Sequence, residues 1–203
     1  MSAFLGPIHH WLFRKIRFQN DLTNYMAEAA EEKGWEHGLM SRLEEACGVL
    51  EQGALEEIID GANIHGWLQE RIGVVERRLA FLVTWLLQEN PERSQELGEL
   101  ALSFGQQHPA EAGLSPRETF AYLDSLLLNG MPCDHVNMLT EETETRICWE
   151  QRVDIHAPYW QEAGSSTVYY DAVRKNLIRG ILEHTGVDYA QTGEQSFQLS
   201  KEG

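Results

Sequence analysis

Apolar residues recur at helical spacing through the first two thirds of the chain. Phe4, Trp11, Phe18 and Tyr25 lie seven residues apart, with Leu5, Leu12 and Met26 beside them and Ile8 and Leu22 between. That is a broad apolar face of period 3.6. Proline suits the first helical position, where its missing N–H would be unpaired anyway. The pattern therefore predicts a helix from Gly6-Pro7 to Lys33, stopped by Gly34. A shorter helix over 38–52 carries Leu39, Leu43, Ala46 and Leu50 on one face, and a further turn or two over 55–60 ends at Gly61. The stripe Ile64, Leu68, Ile72, Val75, Leu79, Leu82 and Leu86, widened by Trp67, Val74, Phe81 and Trp85, predicts a long central helix over 62–89. Asn90-Pro91 reads as an N-cap and a first-position proline. The helix it opens runs to Gln107 and turns Leu97, Leu100, Ala101 and Phe104 inward. Ser115-Pro116-Arg117-Glu118 is a capping box for a helix that Asn129-Gly130 ends.

After Gly130 the period becomes two. Residues 136–139 form one strand candidate and 143–156 another, with a hairpin loop over 140–143. In the second strand Ile147, Trp149, Val153 and Ile155 share one face, and Arg146, Cys148, Glu150, Arg152, Asp154 and His156 share the other. Ala157-Pro158 breaks the strand. Ser165 or Ser166 caps a last helix stopped by Gly186, residues 196–199 add an edge strand, and the tail Lys201-Glu202-Gly203 is expected to be loose. The fold class is mostly α: a bundle of about five helices over 1–130, then a small antiparallel sheet and a C-terminal helix over 131–203, packed with the bundle as one domain. One motif recurs: IHxWLxxxI begins at Ile8 and again at Ile64, 56 residues later, each time near the start of a long helix. A duplicated helical hairpin and two similar helix starts both account for it.

Charge narrows the partners. With 16 basic and 32 acidic side chains the formal net charge is −16, so phosphate backbones and anionic membranes are disfavoured. Three widely spaced cysteines, Cys47, Cys133 and Cys148, without a CxxC pair, do not form a secreted disulfide framework. No basic, then apolar, leader opens the chain and no apolar run is long enough for a span, so the expected location is the cytoplasm.

Three constellations carry candidate chemistry. His9 and His65 each sit at the edge of an apolar helix face, and Glu76 follows His65 along the same edge. Two imidazoles and a carboxylate would suit Zn or non-haem Fe held between helices. The chain lacks the Glu-x-x-His pairs of di-iron bundles, HExxH, and the histidine ladder of a hemerythrin-like protein. Cys133 and His135, two apart in a segment read as extended, would share a face, where an imidazolium lowers a thiol's pKa and activates it. On the polar strand face, Asp154 would orient His156 as a base. Arg152 would clamp a carboxylate, with Cys148 and Glu150 alongside. Trp160, just past Pro158, is expected at a pocket mouth. The plainer alternatives are amphipathic histidines, an inert cysteine and a solvated sheet face. The expected function is a small-molecule-binding protein, with Cys133, His135, Asp154 and His156 as catalytic candidates in a pocket between the bundle and residues 131–160. The alternatives are the metal-binding bundle and a non-catalytic subunit, as a homo-oligomer or with a basic partner.

Overall fold

The computed structural model describes residues 5–201, so Phe4, Glu202 and Gly203 lie outside the described residues. The described chain is 59% helical, with eight helices and one four-stranded antiparallel sheet. Helix α1 is Pro7–Glu32, α2 is Leu39–Cys47, α3 is the single turn Leu55–Ile58 and α4 is Ile64–Glu89. After a 3-10 turn at Pro91–Arg93 come α5, Ser94–Gln106, and α6, Pro116–Leu126. The expected capping box is present: Ser115 Oγ accepts from the Glu118 N–H at 3.3 Å, and Glu118 Oε2 accepts from the Ser115 N–H at 2.9 Å.

Helices α1 and α4 run parallel and in step. His9 lies beside His65 and Phe13 beside Trp67, each pair with ring centroids 5.7 Å apart, and Arg78 donates to Asn24 Oδ1 at 2.9 Å. The two IHxWL motifs are therefore neighbours in space, at one end of the bundle. Around them Leu12, Phe13, Ile16, Ile64, Leu68 and Ile72 form one apolar cluster with Leu50 and Leu55. A larger cluster joins the rest of α1 and α4 to α2, α5, α6, α8 and the sheet. Helix α5 packs on α8, Thr167–Leu182, at glycines. A Cβ on Gly180 would lie 2.1 Å from the Leu102 carbonyl oxygen, and one on Gly105 would lie 2.2 Å from that of Leu177. Backbones this close leave no room for a methyl group.

The strands are β1, Asn137–Glu142; β2, Arg146–Gln151; β3, Asp188–Gln191; and β4, Ser196–Ser200, in the order β1-β2-β4-β3. Ile147, Trp149, Phe197 and Leu199 turn one face onto the helices, and Phe120 of α6 meets Trp149 edge-on at 5.0 Å. Burying such an aromatic stabilises by about 1.5–3 kcal/mol.

Several expectations are corrected. Residues 196–199 belong to β4, an inner strand, because a β3 missed in the sequence covers its outer side. The hairpin turn falls after Glu142, since β1 continues through a bulge between Leu139 and Glu141. Most consequentially, β2 ends at Gln151. Asp154 Oδ1 accepts from the N–H groups of both His156 and Ala157 at 3.0 Å, and this turn starts α7, Ala157–Glu162. The alternation thus stops five residues early: Val153 is 48% exposed, while His156 is only 3% exposed. Among the described residues no helix is long and apolar enough to cross a membrane.

Candidate functional site

His156 is the middle of a buried chain of hydrogen bonds. Its Nδ1 lies 3.0 Å from Glu76 Oε2 of α4, and its Nε2 lies 2.8 Å from the Tyr170 hydroxyl of α8. One turn further along α8, Arg174 donates to the Tyr170 oxygen at 2.7 Å and to Asn129 Oδ1 at 2.8 Å. Direction follows from valence. A guanidinium only donates, so Tyr170 accepts from Arg174 and gives its own proton to His156 Nε2. His156 Nδ1–H then donates to Glu76. Burial holds the Tyr170 phenol well above its ordinary pKa, against the pull of Arg174, so it keeps the proton this order needs.

Asn129, the outer end of that chain, also lines a cleft of about 300 Å³. Its walls are Ile8 and Trp11 of α1, Phe120 of α6, and Met131, Val136 and Leu139. Ile8, expected on the apolar face of α1, is 52% exposed because it forms part of this rim. Lys15, Asp124 and Asn129 supply polar groups, and His135 stands among the lining residues. A narrow recess of about 20 Å³, bordered by the same Phe120, Asp124 and Asn129, reaches Arg174 and Tyr189. That is room for one water. Size and mixed lining fit the lower end of small-molecule sites.

Lys15 is the unusual member. Only 2% of it is exposed. Its Nζ lies 3.5 Å from Asp124 Oδ1 and 3.9 Å from the centroid of the Trp11 ring. Burial pulls its pKa down to about 8; Asp124 opposes the shift and the charge of Arg174 adds to it. Between pH 8 and 10.5 the folded chain therefore holds fewer protons than the unfolded one, so stability rises with pH across that window. Below pH 8 the full cost of a buried ammonium is present. Lys15→Met is expected to be more stable than the wild type at pH 7, by up to roughly 3 kcal/mol, with the gap closing towards pH 10.5. Urea unfolding of both chains at pH 7 and pH 10 measures this; a gap that does not change with pH would count against it.

The expected site residues go to separate places. His9 and His65 do meet, and His9 Nδ1 accepts from the Gly6 N–H at 3.0 Å. Glu76 does not join them. It is eleven residues from His65 along α4, roughly 16 Å at helical rise, and is engaged by His156. Among the described residues no three His, Cys, Asp or Glu side chains gather as a metal-binding group. Cys133 and His135 are not on an extended segment. Pro132–Asp134 is a 3-10 turn held by Asp134 Oδ2, which accepts from the Met131 N–H at 2.8 Å, and leaves Cys133 exposed. His135 follows in the left-handed region at φ 46, the one such non-glycine residue among those described. Holding a non-glycine residue in this sparsely populated region costs free energy; such residues occur at helix ends, as here, and cluster at functional sites.

Glu150 and Arg152 are exposed on and beyond β2. Cys148 is half-buried, its Sγ 3.9 Å from Glu141 Oε2, and burial pushes its thiol pKa up, away from the reactive thiolate. Asp154 caps α7 through backbone groups rather than orienting the His156 ring. Trp160 is fully buried in the core instead of at a pocket mouth, because α7 folds it inward.

Sequence reasoning passed over Lys15, Asp124, Asn129, Tyr170 and Arg174. One signal was there: Ile8, Lys15 and Leu22 are spaced by seven, so the lysine interrupts an apolar stripe. Compared with models of known protein families, with curated proteins and with solved structures, the chain matches none of them.

Proposed function

We propose that the chain binds a small molecule in the cleft between α1, α6 and residues 129–139. The observation that carries this reading is Lys15. A charged amine on a helix ordinarily reaches water; this one is held at the cleft with one long ion pair, at a cost to stability. Proteins retain such groups where a site needs them. The aromatic walls offer a planar apolar ligand contact area, and Lys15, Asn129 and Asp124 offer it polar anchors. The left-handed His135 beside the opening supports the same reading.

Benzoate and indole, observed by saturation-transfer NMR, test it. Both are expected to bind the wild type. Leu139→Glu puts a longer side chain, of the same charge as benzoate, at an exposed rim position and should weaken benzoate binding at least about tenfold, or 1.4 kcal/mol. Unchanged binding in that variant, or none to the wild type, would overturn the assignment.

A further inference from the structure

We propose that Lys15 is a carbonyl-capturing amine, which condenses with a small aryl aldehyde or ketone seated in the cleft to form an imine. This rests on the cleft being the ligand site and adds the reacting atom and the substrate class.

Nucleophilic lysines need a neutral nitrogen, a neighbouring group to move protons, and shelter from water. Lys15 has all three. Lys15 lines the cleft, and so do Asp124 and Trp11, the two residues its Nζ meets. Asp124 Oδ1 is 3.5 Å away and its side chain is partly open to solvent, so it can exchange protons with both the amine and bulk water. The ring of Trp11 lies 3.9 Å from Nζ, and Phe120 lines the same cleft. Apolar rings so placed exclude the water that would hydrolyse an imine. They also suit an aromatic ligand face better than an alkyl one. The lowered pKa leaves about a tenth of the amine neutral at pH 7, whereas an ordinary lysine has far less than a hundredth.

The chemistry balances without an added reagent. The amine lone pair attacks the carbonyl carbon, and the π pair of the C=O bond moves onto oxygen. Asp124 carries one amine proton to that oxygen, giving a carbinolamine. The nitrogen then expels the hydroxyl, which departs as water with the second amine proton, and the C=N bond remains. Nothing is oxidised or reduced. Lys33 and Lys175, both exposed, serve as internal comparisons.

The experiment uses the full chain, benzaldehyde as the carbonyl probe and cyanoborohydride to trap any imine at pH 7, with peptide mapping by mass spectrometry. Lys15 is expected to be labelled at least about tenfold faster than Lys33 or Lys175, following its larger neutral fraction. Benzoate, which has the same shape but cannot condense, should slow that labelling. Asp124→Asn, which removes the proton carrier, should slow it too. Labelling of Lys15 no faster than that of the exposed lysines would overturn the proposal. If benzoate still binds in that case, the cleft remains a ligand site and only the imine is lost. If benzoate does not bind either, both readings fall.

Discussion

Alanine at position 156 is expected to lower the unfolding free energy by about 3–5 kcal/mol, the usual cost of removing one partner of a buried ionisable pair. His156 joins Glu76 to Tyr170, and both of those side chains are buried. Without the imidazole, Glu76 loses its Oε2 partner while Oε1 already has none, and the Tyr170 O–H loses its acceptor. The truncation also leaves a cavity. Changing both ends tells these contributions apart. Replacing Glu76 and His156 together by leucine removes the orphaned charge, so the double variant should recover more than half of the loss. Urea unfolding of the single and double variants gives the coupling. A His156→Ala loss below about 1 kcal/mol would mean that the chain of hydrogen bonds contributes little.

The second large effect is steric. Gly180→Ala and Gly105→Ala each drive a methyl group into backbone of the facing helix, at 2.1 Å and 2.2 Å from a carbonyl oxygen. Backbone cannot swing aside as a flexible side chain can, so α5 and α8 must separate. Over-packing of this kind costs about 1–3 kcal/mol or more, and alanine's better helix propensity offsets about 1 kcal/mol of it. We expect a net loss of about 2 kcal/mol or more for each variant. Gly73 in α4 is the contrast. Its added Cβ meets only the mobile end of Arg77, at 3.1 Å, so Gly73→Ala should be neutral or gain up to about 1 kcal/mol. Opposite signs at Gly180 and Gly73, read from thermal or urea midpoints, would support the close approach of α5 and α8. Equal effects would refute it.

Much of the helical architecture was legible because helices announce themselves locally. Pro7, Asn90-Pro91 and the Ser115–Glu118 box act on backbone groups within a turn of themselves, so their meaning does not depend on the rest of the fold. The sheet was less legible. Alternation placed Ile147 and Trp149 on the buried face correctly but ran on past Gln151, where an Asp154 turn redirects the chain. Strand order was out of reach, because β4 pairs on one side with its hairpin partner β3 and on the other with β2, which lies far away along the sequence.

The candidate site was legible only as residue types. His156 and Glu76 stand out in the sequence as candidates for different sites, and they are 80 residues apart. Lys15 does not stand out, because a lysine on an amphipathic helix ordinarily reaches solvent.

By itself, then, the sequence determined the period of each segment, the ends of most helices, the acidic surface and the mostly α class. These follow from backbone hydrogen bonding and side-chain spacing within a few residues. Only the tertiary structure decided which polar groups are taken out of water and what they meet there: Lys15 beside Asp124 and Trp11, and Glu76, His156, Tyr170, Arg174 and Asn129 in one buried chain. Burial and partner are properties of surfaces brought together from distant segments, and no local pattern encodes them.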